Sequence, residues 1–340
     1  MSSQIENINK KKVLILYNKL FHYRIPIFNL LASKYDLTVS YSYNTSEYVI
    51  AQCNFKTIFI PKFSFWKVTI HKKNILRLAK GYDVVIAYGD TAWLSFSSLA
   101  LWRRNFKLFF WTIGAPASYN RKYGEASRLH YFITDFFDKR ADGLIVYTDR
   151  PIKMFKERGI ASIPFFIAHN TVKVRKIELN NTLKNKILFI GTLYMEKGLE
   201  ILLDSYLEAY KVNRSIPELL IIGGGDQYDS VNKWIDCKNL SDRIKLIGPI
   251  YSEQEKSNLF SQAIACISPL QAGLSVLESM GYGVPFITMK DAITGGEAFN
   301  IVHEKNGLRL DNVEQFKEVI IDISNNRCKY LEFGKNAYEY

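Results

Sequence analysis

Lys197 lies between a strand-like run, Lys186-Ile187-Leu188-Phe189-Ile190-Gly191, and Gly198, which opens the amphipathic stretch of residues 199–211. An ammonium held at the mouth of such a strand–loop–helix unit can neutralise a diphosphate. The same lysine would also suit plain solvent ahead of a helix-opening glycine. A second signal is Ile222-Gly223-Gly224-Gly225-Asp226, a glycine run directly after a strand. It lets the backbone approach a ligand closely or make a tight turn with none. Its spacing is not the G-x-G-x-x-G of a dinucleotide site. The third signal is residues 269–285, where a strand ends near Ser268, a loop carries Gln271 and Gly273, and a helix begins near Ser275. Free N–H groups of Gly273, Leu274 and Ser275 at that helix start can hold a phosphate. Glu278, about one turn further, can accept hydrogen bonds from two ribose hydroxyls, or can be an ordinary helix-face carboxylate. A fourth segment, Thr294-Gly295-Gly296-Glu297-Ala298-Phe299-Asn300 with Asn306-Gly307-Leu308 behind it, reads as a loop and turn after the last strand.

Positioning these loops requires open parallel sheets. In the first half, strands are expected around residues 12–17, 37–41, 57–61, 83–88, 107–111 and 143–147. Helical stretches are expected after Pro26 and over 74–79, 92–103 and 129–140. The second half restarts the pattern, with strands at 186–191, 218–223, 244–247, 263–267 and 285–288 and helices at 199–211 and 275–282. Leu202, Leu203, Tyr206 and Leu207 share one buried face of the first of these. The reading is α/β, two Rossmann-like domains: 1–170, a linker at 171–185, and 186–340. Parallel sheets facing across a cleft would bind ligands at the strands' carboxyl ends.

At 340 residues the chain suits two domains, and its composition, 48% hydrophobic with 9 prolines, excludes disorder. Cys53, Cys237, Cys266 and Cys328 form no C-x-x-C pair, which argues against a zinc site or a disulfide framework and fits a reducing compartment. The polar start of the chain lacks a signal-peptide core, and the apolar runs are strand-sized, so a cytoplasmic protein is expected. The net charge is +12, with basic groups at Lys10-Lys11-Lys12, His71-Lys72-Lys73, Arg103-Arg104 and Arg121-Lys122. No nucleic-acid motif accompanies them, so anionic lipid and a diphosphate-bearing ligand are the expected partners. Phe63-Ser64-Phe65-Trp66-Lys67 with His71-Lys72-Lys73 suits either a membrane interface or a loop packed on the core.

The second half resembles the donor-binding domain of the family-4, or group 1, retaining glycosyltransferases of GT-B architecture. The resemblance rests on Glu196-Lys197-Gly198, on G-L-x-V-L-E-x-M-x-x-G-x-P at residues 273–285, and on Asn306-Gly307-Leu308. His22-Tyr23-Arg24-Ile25-Pro26 resembles the acceptor-domain opening of bacterial surface-polysaccharide enzymes, and Ala168-His169-Asn170-Thr171-Val172 that domain's exit. The resemblance implies transfer of a hexose-type sugar from a UDP- or GDP-sugar to a glycan or undecaprenyl-diphosphate-linked acceptor. It implies no cofactor, and no D-x-D triplet for a metal is present. The basic and aromatic residues at 63–73, with such a lipid-linked acceptor, lead to an expected place at the inner face of the cytoplasmic membrane. Lys197 would contact the diphosphate, with Gly191, Thr192 and the amides at Gly273, Leu274 and Ser275 around it. Glu278 would hold the ribose and Gly248 border the base. His22, Arg24, Gly114 and Glu125 are acceptor-side candidates.

Three positions depart from the family pattern. Thr192 stands where an arginine is usual, and Leu270 where a second glutamate precedes Glu278 by eight residues, leaving the donor sugar to Gln271 or backbone. Trp111-Thr112-Ile113-Gly114-Ala115 lacks the usual histidine. A sugar-nucleotide 2-epimerase and a catalytically silent glycan- or nucleotide-binding relative share the architecture. The chain ends at Tyr340, where the family's return helix would still be running.

Overall fold

The structure, a computed structural model, describes residues 10–66, 68–115, 123–175 and 184–340. Lys67, the basic pair Arg121-Lys122, the first nine residues and 176–183 of the expected linker lie outside the described residues. The chain divides into two compact units, one within Met1–Ala115 and Ala126–His169, the other within Pro116–Glu125 and Asn170–Tyr340.

The first unit opens with β1 (Lys12–Leu16), and a 3-10 turn, His22–Arg24, leads into α1 (Ile25–Lys34). Pro26 sits in the first turn, where its missing N–H costs nothing. Then follow β2 (Asp36–Tyr41), α2 (Glu47–Ile50), β3 (Lys56–Phe59), β4 (Lys62–Phe65), β5 (Val68–His71), α3 (Ile75–Ala79), β6 (Val84–Tyr88) and α4 (Leu94–Ser97). The unit closes with β7 (Lys107–Thr112), α5 (Arg128–Asp138), β8 (Gly143–Val146), α6 (Arg150–Glu157) and β9 (Phe165–Ile167). Seven of these strands form one parallel sheet in the order β3-β2-β1-β6-β7-β8-β9. Leu14 and Leu16 of β1 are buried in the core on one face, Val13 and Ile15 in the core on the other. A strand covered on both faces must read as an unbroken apolar run, as β1 does.

The helix expected over 92–103 is shorter. It stops at Ser97 and continues as a 3-10 turn, Ser98–Leu101. The hydroxyls of Ser97 and Ser98 donate back to the carbonyls of Asp90 and Ser95 (3.5 and 3.2 Å), competing with the helical ladder. The aromatic stretch near Trp66 is an antiparallel hairpin, with Phe63 opposite Ile70 and Phe65 opposite Val68. Trp66 at its tip is 96% exposed. His71 does not join its basic surface. The ring stacks on Phe96 (4.5 Å) with Nε2 3.1 Å from Ser42 Oγ, and burial, helped by the Lys62 charge, pushes it down to about 4.

Inside the first unit, α5 buries two carboxylates. The guanidinium of Arg158 donates through Nε to both oxygens of Asp135 (3.2 and 3.1 Å), and Asp138 lies buried beside them. Burial, then the Asp135 charge, pushes Asp138 up to about 7, against the pull of Arg158. Between its ordinary value near 3.8 and about 7 the folded chain holds a proton that the unfolded chain has lost, so stability falls as pH rises through that window. Asp138→Asn should therefore be neutral near pH 4 and stabilise by about 1–2 kcal/mol above pH 7, read from urea unfolding at both pH values.

The second unit runs β10 (Lys186–Ile190), a 3-10 turn Met195–Lys197, α7 (Leu199–Val212), β11 (Glu218–Ile222), α8 (Tyr228–Cys237), β12 (Ile244–Gly248), α9 (Glu253–Ser261), β13 (Ala263–Ile267) and α10 (Leu274–Gly281). It continues with β14 (Phe286–Met289), a 3-10 turn Glu297–Asn300, β15 (Gly307–Leu310), α11 (Gln315–Asn325) and α12 (Arg327–Glu339). Six parallel strands are ordered β12-β11-β10-β13-β14-β15. The segment at 294–308 is a loop and turn as far as Asn306, but β14 before it is not the last strand. Gly307 and Leu308 pair with Phe286 and Ile287 as part of a sixth strand, which the short, polar-flanked run did not announce. Val174 packs against Gly281, and buried Lys184 donates to the Gly283 carbonyl (3.0 Å), so both belong to this unit's packing. All four cysteines are free thiols. Among the described residues no helix is long and apolar enough to cross a membrane.

Candidate functional site

The turn after β10 and the loop before α10 are joined at Lys197. The Leu270 N–H donates to the Lys197 carbonyl (3.2 Å), and the Leu270 side chain covers Gly198. Gly198 adopts φ +69°, and a Cβ there would meet Leu270 Cγ at 2.6 Å, so both the conformation and the contact call for glycine. Leu270, where the family pattern has a carboxylate, therefore serves as packing that seats the lysine turn.

That seat removes Lys197 from solvent. The residue is 7% exposed, and Gly191 leaves the space in which its ammonium rests, since a Cβ there would stand 3.2 Å from Nζ. Burial pulls the ammonium down to about 8, with Cys266 and Glu297 pulling the other way. Cys266 is itself pushed up to about 12 by burial and stays neutral, so Glu297 is the charge Lys197 feels. The solvent-lysine alternative fails on this burial.

Glu297, one residue of the 294–300 segment, has no role of its own in the sequence pattern. Its carboxylate is buried and accepts from Asn170 Nδ2 (2.7 Å), the Gly295 amide (3.1 Å) and Thr294 Oγ1 (3.4 Å). Its donors come from its own loop and from 127 residues away, and only the glycine pair before it is a local signal.

The start of α10 carries unused donors. The amides of Gly273, Leu274 and Ser275 meet no acceptor among the described residues, and Ser275 Oγ is buried with no hydrogen-bond partner. Nothing would lie within 4 Å of a Cβ at Gly273, so there is open space beside the first of these donors. Aligned helix dipoles add a partial positive charge at this end. An unmatched buried hydroxyl beside free amides is costly unless an acceptor arrives.

Glu278 follows one turn on, with its side chain 17% exposed. Lys256 of α9 donates to Glu278 Oε1 (2.6 Å) and also pairs with Glu253 (2.7 Å), onto which the Tyr282 hydroxyl donates (3.2 Å). Against desolvation, Glu278 and Glu253 raise the Lys256 ammonium above its ordinary value. Glu278 is thus a held carboxylate. Its neutralising partner on α9 could not be read from the sequence, because 22 residues separate the two.

The other expected residues are placed as follows. Thr192 is exposed, and Gly248 accepts from the Gly223 amide through its carbonyl (2.9 Å). Gln271 accepts from the Tyr194 hydroxyl, which fixes its amide beside the lysine turn. On the acceptor side, Arg24 is buried, donates to the Tyr147 hydroxyl (3.0 Å) and lies 4.9 Å over the Trp111 ring. Gly114 meets Pro151 so closely that a Cβ would come within 2.3 Å, which gives it a packing reason of its own. His22 stands edge-on to Tyr23 in the 3-10 turn, and Glu125 is exposed. His22, Arg24 and Gly114 fall in the first unit and Glu125 in the second.

The chain therefore has two sheets of parallel strands with alternating helices, and one of them presents a buried cation, free helix-start amides and a held carboxylate. Over nearly its whole length this architecture is similar to several solved structures. A point mutant of S. aureus TarM in complex with Fondaparinux, alpha-GlcNAc-glycerol and UDP has a TM-score of 0.71 at 13% identity, over 97% of this chain and 96% of that one. Anabaena Alr3699/HepE in complex with UDP and glucose has a TM-score of 0.68 at 14% identity, over 97% and 94%. The lipopolysaccharide outer core galactosyltransferase WaaB in its apo form has 0.64 at 15%, over 96% and 98%. These likenesses show the GT-B fold. Residues 171–340 match the family model of glycosyl transferases group 1, and the chain belongs to that family. The GDP-Man:Man(3)GlcNAc(2)-PP-Dol alpha-1,2-mannosyltransferase of Dictyostelium discoideum is 26% identical over 173 residues, 47% of this chain. The chain spans 34% of that relative's length.

Proposed function

We propose that the chain transfers a hexose-type sugar from a UDP- or GDP-sugar to a glycan or lipid-linked saccharide. On this reading the anomeric configuration is retained and the pathway is surface-polysaccharide synthesis. The observation that carries the reading is the buried Lys197 ammonium joined through Leu270 to a helix start with three free amides and the unpartnered Ser275 hydroxyl. Such a site suits a diphosphate, and a departing nucleoside diphosphate is where charge grows as a glycosidic bond of the donor breaks. Family membership supports the same reading, as does the binding of UDP by the TarM and HepE structures. The lipid-linked acceptor is suggested by the diphosphate-lipid glycan in the name of the Dictyostelium relative.

The residues divide the work. Lys197 and the α10 amides would stabilise the leaving diphosphate without a metal ion. Glu278, steadied by Lys256, would accept from the ribose hydroxyls, and Gly248 would border the base. The protein would act in the cytoplasm at the inner membrane face, with no cofactor beyond the sugar nucleotide.

Glu278→Ala is expected to weaken nucleoside diphosphate binding about ten- to a hundredfold, since it removes a held acceptor for two hydroxyls. Inorganic pyrophosphate, which has no ribose, should bind the variant and the parent alike. Calorimetric titration with both ligands checks this.

Transfer itself is tested by incubating the full chain with UDP- and GDP-hexoses and saccharide acceptors, with and without EDTA, and following products by mass spectrometry. The expected result is a glycosylated acceptor, undiminished by EDTA. Nucleotide binding with no product would point to a silent binding protein. Conversion of the donor to its 2-epimer would point to an epimerase.

A further inference from the structure

Helix α5 is built inside out. Its carboxylates, Asp135 and Asp138, are buried, while Leu129, Phe132, Ile133 and Phe136 face solvent, Leu129 and Phe132 being 67% and 71% exposed. Helices on the surface of a soluble protein bury the apolar stripe and expose the charged one. The orientation is anchored from within. Arg158, just after α6, grips Asp135 with Nε, lies 4.4 Å over the Tyr131 ring and 4.8 Å over Phe155, and so fixes which side of α5 faces the core.

The apolar surface extends beyond the helix. The 3-10 turn Ser98–Leu101 packs against α5, and Leu101 and Trp102 at its end are both exposed. The face is rimmed by cations. Arg128 begins α5, Lys139 and Arg140 follow it, and Arg103 follows Trp102, all four exposed. The Arg140 guanidinium lies 3.8 Å over the Phe136 ring, leaving a charge at the edge of the patch. Both carboxylates within α5 are buried, so none of its acids offsets these cations at the surface.

We propose that this face of α5, with Leu101 and Trp102, docks the protein on an anionic lipid surface. Aromatic and aliphatic side chains would enter the headgroup–acyl boundary while the flanking arginines and lysine meet lipid phosphates. The charge rim selects this occupant. A second copy of the chain would bring four cations against four on a molecule already at +12, which repels. The assignment deepens the membrane part of the proposed function by naming the surface, and its test does not depend on sugar transfer.

The test is sedimentation of the full chain with vesicles of phosphatidylcholine containing about 30 mol% phosphatidylglycerol at low salt, beside vesicles of phosphatidylcholine alone. The parent should bind the anionic vesicles and release as salt rises. The pair Phe132→Ser/Phe136→Ser, and separately Arg128→Gln/Lys139→Gln/Arg140→Gln, should each lower binding by about tenfold or more. Both sets change exposed positions, and unchanged thermal unfolding together with unchanged nucleotide binding would show that fold and donor site are intact. Equal binding by the parent and both variants would overturn the proposal, as would no binding by the parent to anionic vesicles. Self-association of the parent, abolished by the phenylalanine pair, would overturn it in favour of a second copy. Loss of nucleotide binding in the parent, with vesicle binding retained, would sink the transferase reading and leave this one standing.

Discussion

Lys197→Ala is expected to lower kcat/KM for sugar transfer by about two to three orders of magnitude, which corresponds to about 3–4 kcal/mol of lost leaving-group stabilisation. The size follows from where the ammonium sits. It is 7% exposed, and the buried Glu297 carboxylate favours its charged form against the burial, so removing it takes away a cation that bulk water does not replace. Arginine at this position should not restore activity, because its larger planar guanidinium would have to take the buried place of an ammonium that already lies 3.2 Å from where a Cβ on Gly191 would stand. The titration of Lys197 adds a second readout. Burial holds it near 8 in the free protein, and a bound diphosphate favours the charged form, so binding should take up protons at alkaline pH. Nucleotide affinity should therefore fall as pH rises above about 8 in the parent. In Lys197→Ala it should be weaker at every pH and lack that alkaline fall. Steady-state kinetics and titration calorimetry across pH 6–9.5 measure both, on the order of three to four units being enough to bracket the transition.

Gly223→Ala should fail to give a stable protein, while Gly224→Ala, one residue on, should be tolerated. At Gly223 the backbone has φ +151°, and a Cβ would lie 1.8 Å from the Gly191 carbonyl oxygen, a backbone atom that cannot step aside without moving the lysine turn. The cost is expected to be at least about 3 kcal/mol, from strain and displacement together. At Gly224 the new methyl would meet only Pro249, at 3.6 Å, an ordinary contact, so the change should stay within about 1 kcal/mol. Urea unfolding of both variants separates the cases. A stable Gly223→Ala with undisturbed nucleotide binding would mean that the loops after β10 and β11 are not locked together as described.

This pair also shows what the sequence could carry. The glycine run after β11 was legible as a place where backbone approaches something closely. That the something is the neighbouring loop of the same sheet, through Gly191 and Leu193, depends on a pairing between segments some thirty residues apart. The central parallel strands, β1 among them, were legible because both their faces are covered, which leaves apolar runs such as Val13-Leu14-Ile15-Leu16 with no polar interruption. The hairpin at Lys62–Phe65 and Val68–His71 was less legible. Its alternation sets exposed Phe63 and Phe65 on the outside, so hydrophobicity gave no sign of which face is buried. Likewise α5 was expected as a helix, but its orientation is decided by Arg158, more than twenty residues later. In the site, Lys197, Gly273 and Glu278 stand in local patterns with a chemical reason. Lys256 and Glu297 do not, since their roles come from partners that only the fold brings near.

The most direct test of a nucleoside diphosphate site on the second unit is a thermal-shift titration with UDP, GDP, ADP and CMP, run on the parent, Lys197→Ala and Glu278→Ala. The expected result is stabilisation of the parent by UDP or GDP, growing with concentration, and a clearly smaller shift in both variants. Stabilisation of all three proteins to the same extent, or of none by any nucleotide, would contradict the assignment of Lys197 and Glu278 to a donor site.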